Sequence, residues 1–317
     1  MKEFLFYKLS FVCYDDNRAK VFLRFVLPAS NMAYYSVYKN RKDIYMSIQS
    51  DFHLHSHFSG DCSIPMEDMI RSGIEKGLSS MCFTEHNDFD FPYAGDMAPD
   101  SFILDVDSYF RELSALREKY GNKIKILSGV EIGVQECCLE QNLLLAKSHD
   151  FDFIIASSHL CMGEDPYYPS FFEGKAVEKC YLSYFEEMLA NIRAFQSFDV
   201  YGHLDYIARY APKDAVSFRY GDYQNLIDEI LKTLIENGRG IECNTSGLRK
   251  PLNATNPGAE ILKRYKELGG EIITVGSDAH LPSDVAAYFD TVSPLLKQCG
   301  FSYYATFERR HPIFHRL

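Results

Sequence analysis

The chain has 317 residues, and its 33 Lys and Arg against 44 Asp and Glu give a formal net charge of −11, which excludes indiscriminate binding to nucleic acid or to anionic membranes. Apolar residues make up 46% of it, with 24 Phe and 22 Tyr; that is ample for a buried core and excludes an intrinsically disordered chain. Nine cysteines without a single C-x-x-C pair speak against a disulfide framework, and Cys82, Cys161 and Cys243, in or beside apolar strand-like runs, read as small hydrophobes in a reducing cytoplasm.

Residues 1–45 differ from the rest. Lys2, Lys8, Arg18, Lys20, Arg24, Lys39, Arg41 and Lys42 against Glu3, Asp15, Asp16 and Asp43 give 8 − 4 = +4, leaving −15 for the remainder. The segment shows no clear helical or strand period, and we expect an N-terminal extension: either an over-extended gene start ahead of Met46 or an appended strand or arm. Its opening run FLFYKLSFVCY is not a secretory signal, because Glu3 precedes it, Lys8 interrupts it and no small-residue cleavage site follows. No stretch of the chain approaches the ~20 apolar residues of a membrane span.

From Met46 a unit recurs seven times: an apolar, β-prone run, a polar side chain at its carboxyl end, then a helix-like stretch. The runs are SIQSDFHLH to His55, SSMCFTEH to His86, KIKILSGVE to Glu131, FDFIIASSH to His159, FDVYGH to His203, GRGIECN to Asn244 and EIITVGSDAH to His280. The helical stretches run from Pro65 to Lys76, Asp107 to Tyr120, Ala176 to Phe195, Tyr223 to Asn237 and Pro257 to Leu268. In the last two, Leu226, Ile230, Leu234 and Ile261, Leu262, Tyr265, Leu268 fall on one helical face. Gly77, Gly121, Gly238 and Gly269 stand where left-handed C-caps are wanted. The end of the chain reads as a helix from Asp284 to Cys299, a strand-like run from Tyr303 to Phe307 and a basic tail.

Strict alternation implies parallel strands joined by crossover helices. An open doubly wound sheet gathers ligands at one switch point, whereas here all seven strand ends carry polar side chains; only a closed ring brings seven ends together. The fold class expected is α/β, a distorted (β/α)7 TIM-like barrel spanning residues 46–317.

Six of the ten histidines (His53, His55, His86, His159, His203 and His280) lie at these ends. His53 and His55, two apart on a strand, face one side and can share an ion. Asp278 and His280 repeat the spacing, and Glu131, with Asp61 in the first loop, adds carboxylates. Such an N/O set suits Zn, Mn or Fe, and nine donors are too many for one ion, so two or three divalent metals are implied.

In this order, HLH, TEH, GVE, SSH, GHLD and SDAH resemble the PHP (polymerase and histidinol phosphatase) family. The longer strings DFHLHSHFSGD, MCFTEH, DPYYPSFFEGK, GHLDYIARY, ECNTSGLRK and ELGGEIITVGSDAH are similar to its histidinol-phosphatase branch. The resemblance implies the PHP fold, a trinuclear metal centre and hydrolysis of L-histidinol phosphate in histidine biosynthesis. It places His53, His55, Glu131 and Asp278 on one ion and Asp61, His86 and His280 on a second, with Glu131 bridging to a third held by His159 and His203. Glu85 is expected to orient the His86 ring or to pair with a surface cation.

A phosphate monoester dianion repels hydroxide, so catalysis must neutralise its oxygens and supply a nucleophile at neutral pH; clustered metals meet both needs. Asp278 and His280 are the candidates to orient or deprotonate the attacking water. Arg209 and Arg249, in loops after the fifth and sixth strand ends, are the candidate phosphate contacts, ahead of Lys250, because a planar fork matches phosphate oxygens. Asn244, Thr245 and Ser246 offer further hydrogen bonds nearby.

The loop bearing Tyr167, Tyr168, Phe171 and Phe172 is read either as a cap for the substrate or as its own anchor, and the loop from Asp88 to Pro99 as a lid. His57 lines the pocket or only packs; His149, His311 and His315 are structural or exposed. A small phosphate ester is the expected partner, with no nucleic acid and no membrane. The alternatives are another PHP phosphoesterase, including one acting on nucleic-acid ends, an amidohydrolase barrel with eight strands and a bridging Lys, and a nonhydrolytic metal sensor.

Overall fold

The computed structural model describes residues 8–15, 18–24, 34–40, 48–92, 100–212, 218–249 and 252–317. The chain divides into two units, residues 1–46 and 47–317. In the first, β1 (Lys8–Asp15), β2 (Arg18–Arg24) and β3 (Tyr34–Asn40) form an antiparallel sheet in that order. No strand period was legible here. A register shift between Leu9 and Val12 breaks the two-residue alternation that would have shown one.

In the second unit all seven expected runs are strands: β4 (Ser50–Leu54), β5 (Ser80–Asn87), β6 (Lys125–Gly133), β7 (Phe153–Ser157), β8 (Val200–Tyr201), β9 (Gly240–Asn244) and β10 (Ile273–Gly276). They pair in parallel in chain order. The ring closes at the carboxyl ends: Leu54 bridges to Ala279, the Asp278 amide donates to the His53 carbonyl at 2.7 Å, and the His55 amide donates to the Ala279 carbonyl at 2.9 Å. Buried Asp51 fastens this seam, accepting hydrogen bonds from the Ser277 amide and hydroxyl and from the Ala286 amide. The expected seven-stranded barrel is therefore borne out.

The crossovers carry α1 (Met66–Glu75), α2 (Val106–Tyr120), α3 (Leu139–Ser148), α4 (Val177–Ala194), α5 (Gln224–Glu236), α6 (Ala259–Glu267) and α7 (Phe289–Gln298). Helix α3 was not expected. Leu143 and Leu144 are exposed while Asn142 is buried, so no clean apolar stripe marks it. Gly77, Gly238 and Gly269 adopt the left-handed cap, but Gly121 stays right-handed at φ −62° and continues the helical hydrogen bonding to Arg117. Helix α7 starts five residues later than expected because Ala286 and Tyr288 take positive φ.

The basic tail is a strand. Residues His311–Arg316 (β12) pair with Tyr303–Glu308 (β11) through a turn at Arg309 and Arg310, both at positive φ. Ala305 and Phe307 of this hairpin pack on Phe52, Cys82, Leu127, Phe153, Ile155 and Val200, plugging the amino-terminal end of the barrel. The carboxyl end holds the site. No described helix is long and apolar enough to cross a membrane.

Candidate metal centre

The eight donors at the strand ends and Asp61 in the first loop converge. His53 Nε2 lies 3.1 Å from Glu131 Oε2 and 3.8 Å from Asp278 Oδ1, and His55 Nε2 lies 3.7 and 3.5 Å from the same two oxygens. Glu131 Oε1 is 3.1 Å from His159 Nε2 and 2.8 Å from His203 Nε2. Asp61 Oδ2, at the exposed rim, is 3.1 Å from His280 Nε2 and 3.7 Å from His86 Nε2. The other nitrogen of His86 stands 3.0 Å from Glu131, so this ring joins the Asp61 corner to the centre. Asp278 takes φ 54°, a left-handed conformation that Asp tolerates, and the turn aims it at the two first-strand imidazoles. Gly276, two residues before it, has no alternative: a Cβ there would fall 2.3 Å from the His53 Cβ.

Buried polar atoms in folded proteins are nearly always hydrogen-bonded. Here His53 Nε2, His55 Nε2, His86 Nδ1, His280 Nε2 and Glu131 Oε2 are buried without a satisfactory hydrogen bond, and all belong to groups of donors lying within 4.8 Å of one another. Such a cradle fits divalent cations, and its imidazole and carboxylate make-up suits zinc, manganese or iron. The charges agree. Burial opposes the ionised forms of Glu131 and Asp278, yet His53 and its neighbours outweigh it and hold both carboxyls well below the usual range. Burial together with the adjacent His86 and His280 rings holds His55 well below the ordinary imidazole value.

Outer partners fix the rings. Glu242 grips His53 Nδ1 at 2.6 Å, Ser59 meets His55 Nδ1 at 3.0 Å, and Asp88 holds His159 Nδ1 at 2.7 Å. Sequence reasoning missed Glu242 and missed the orienting role of Asp88. The signal for Glu242 was an acid inside the apolar run GIECN, two residues before Asn244 and thus on the same side of the strand. Glu85 does not orient His86. Consecutive strand residues face opposite ways, and Glu85 instead accepts hydrogen bonds from Ser56 and Ser59, bracing the turn that supports His55. Glu242→Gln keeps the shape but removes the charge behind His53; kcat/KM and metal affinity are expected to fall roughly 10- to 100-fold, as steady-state assays and metal titration will read.

A pocket of about 720 Å³ opens beside the cluster, lined by Asp61, His86, His159, His203, Asp278 and His280 among others. Arg209 and Arg249 line it too. The Arg209 fork is braced by Asn256, Asn244 and Asp278, and Arg249 by the carbonyls of Ser277 and Asp278 and by Asp284 at 3.3 Å. Ser246 reaches the pocket, whereas Asn244 and Thr245 are buried behind it; the Asn244 side-chain oxygen is taken by Ser246 and Arg209. Tyr167 and Tyr168 line the pocket, while Phe171 and Phe172 are buried as the loop's anchor. His57 pairs with Glu112 and His149 with Asp107, away from the pocket. His315 stacks on Tyr304 and His311 is exposed. No lysine among the described residues lines the pocket; Lys250 and residues 93–99 of the expected lid lie outside the described residues.

Residues 51–246 match the PHP domain family. A probable histidinol-phosphatase of Clostridium acetobutylicum is 35% identical over 250 residues, covering 79% of this chain and 93% of its own length. Histidinol-phosphatase of Lactococcus lactis is 32% identical over 259 residues, with 81% and 93% covered. The crystal structure of the Lactococcus lactis histidinol phosphate phosphatase, complexed with zinc, L-histidinol and phosphate, superposes with a TM-score of 0.77 at 32% identity, covering 84% of this chain and 98% of that one. A putative histidinol phosphatase from Listeria monocytogenes shares the fold, at a TM-score of 0.66 and 21% identity over 76% of this chain and 99% of its own. The chain belongs to the PHP domain family, in its histidinol-phosphatase branch.

Proposed function

We propose that the chain hydrolyses L-histidinol phosphate to L-histidinol and phosphate with the aid of two or three divalent ions of zinc, manganese or iron. Nine convergent donors beside two braced arginines, in a chain 32% identical to an enzyme solved with zinc, L-histidinol and phosphate, support this reading most directly. His53, His55, Glu131 and Asp278 would hold one ion, Asp61, His86 and His280 a second, and Glu131 with His159 and His203 a third. When bound, such ions act as Lewis acids on phosphoryl oxygens and lower the pKa of water toward neutrality.

The chain's own residues do the rest. Arg209 and Arg249 fork the phosphate, and their existing hydrogen bonds preorganise them for it. Asp278, kept ionised, accepts a hydrogen bond from the attacking water and so orients it along the line opposite the leaving oxygen. His280, half-buried at the pocket mouth, would offer Nε2 to the second ion while the Asp278 carbonyl, 3.2 Å from its Nδ1, fixes the ring, so that it positions the ion beside the attacking water. Arg209→Lys keeps the charge and loses the fork; kcat/KM is expected to fall on the order of 10²-fold with metal content unchanged.

In this reading residues 47–317 are the catalytic body, and its eight cysteines, all free thiols, suit a reducing cytoplasm. The test is steady-state phosphate release from L-histidinol phosphate, β-glycerophosphate and p-nitrophenyl phosphate, by the full chain and by the chain begun at Met46, each loaded with zinc, manganese or iron. We expect kcat/KM for L-histidinol phosphate to exceed the generic esters by about 10³-fold or more, with both chains alike. Equal, slow rates on all three esters would overturn the substrate.

A further inference from the structure

The loop between β7 and α4 carries Asp165 into the pocket wall with only 9% of its surface exposed. Its Oδ1 accepts hydrogen bonds from the Tyr167 amide at 2.8 Å and the Tyr206 hydroxyl at 3.5 Å. Among the described residues it has no ion-pair partner, since the two arginines of the pocket are engaged by Asp278 and Asp284. Burial pushes its carboxyl up to about 6, opposed by the Tyr167 amide.

Four tyrosines of the pocket wall form one chain of rings that meets this carboxylate at Tyr167 and Tyr206. Tyr167 stands 5.2 Å from Tyr168 and 5.4 Å from Tyr210, and Tyr206 stands 5.0 Å from Tyr210 between ring centroids. A buried carboxylate without a cation is costly, and aromatic faces attract cations. The pocket therefore sets a carboxylate without a cation, in an aromatic arc, beside the arginines and the candidate metal cradle, with Tyr206 packed against His159 and His203. Tyr206 links the two, its hydroxyl on Asp165 and its ring under the Arg209 guanidinium at 5.3 Å.

We propose that Asp165 and the tyrosines around it form a subsite for a primary ammonium, so that the enzyme selects phosphate monoesters that carry an amine close to the ester. The proposal deepens the phosphatase reading above and rests on it. It accounts for a buried charge that the metal cradle does not use.

The test compares Asp165→Asn with the parent holoenzyme on two pairs of esters. One pair is L-histidinol phosphate and its deaminated analogue, 3-(imidazol-4-yl)propyl phosphate; the other is 2-aminoethyl phosphate and ethyl phosphate. The parent is expected to favour the amine in each pair by roughly 10- to 100-fold in kcat/KM, the size expected for a charged hydrogen bond. Asp165→Asn should erase most of that preference, chiefly through KM, with metal content and melting temperature held. A loss of equal size on both members of a pair, or a preference that survives the substitution, overturns the subsite. If the parent does not favour L-histidinol phosphate over generic esters but does favour 2-aminoethyl over ethyl phosphate through Asp165, the subsite stands and the substrate reading falls. No amine preference in either pair removes the subsite alone.

Discussion

Glu131→Gln is expected to lower kcat/KM by more than about 10³-fold and to release bound metal, because an outer partner of a metal-binding side chain already accounts for 10- to 100-fold and Glu131 faces five of the six histidines of the cluster. Its Oε2 faces His53, His55 and His86, and its Oε1 faces His159 and His203. The side chain is fully buried on β6 and anchored by the Ser157 hydroxyl at 2.7 Å, so an amide of the same shape fits without a cavity. What the amide lacks is the charge. Burial resists ionisation, but His53, His159 and His86 hold the carboxyl well below its usual range, and no amide can offer two anionic oxygens to neighbouring cations. Metal analysis by mass spectrometry should show at least one ion fewer per chain, with circular dichroism unchanged. Retention of the full metal complement and activity within tenfold of the parent would show that Glu131 is not the shared anion.

The strand ends were legible because chemistry punctuates them: a His, Glu or Asp closing an apolar run is visible without coordinates. Residues acting one layer out were not. Glu242 and Asp51 are acids inside strands, and nothing local says that one grips His53 while the other fastens the first strand to the loop after the last. These contacts span 189 and 226 residues of sequence or more, a separation that periodicity does not reach. The hairpin of β11 and β12 was half seen for the same reason: its own pairing is local, but Phe307 matters through Phe153 on the far side of the chain. Helix α3 failed differently, since Leu143 and Leu144 face water and its buried face holds Asn142 beside Leu145 and Ala146. Glu85 meets neither expectation: strand parity turns it away from the His86 ring, and its oxygens go to Ser56 and Ser59 rather than to a surface cation.

Removing the metal with a chelator is expected to abolish phosphate release and to make the cost in thermal stability grow with pH between about 6.5 and 9. In the metal-free cluster the imidazoles answer to carboxylates alone. Burial works against the charged ring of His86, yet Asp61 and Glu131 outweigh it and raise its pKa to about 9; His53 and His159 are likewise held well above the ordinary value, against burial, chiefly by Glu242 and by Asp88 respectively, with Glu131 acting on both. A group raised in the folded state stabilises it fully below the unfolded value, near 6.5, and that contribution is lost as pH rises through the folded value. His55 runs the other way. Held neutral by burial and by His86 and His280, it weakens the fold below about 6.5 and is silent above. Glu131 and Asp278, both depressed, contribute throughout this window and are lost only in acid. The net sign from 6.5 to 9 is therefore a fall in stability for the stripped protein. A bound ion replaces those protons with fixed positive charge, and its affinity strengthens as imidazoles need no longer be deprotonated. Scanning calorimetry of chelated and reloaded protein at pH 6.5 and pH 9 should show the gap in melting temperature widening at the higher pH. A gap that stays constant or narrows would mean that the cluster is not held together by imidazolium–carboxylate pairing when the metal is gone.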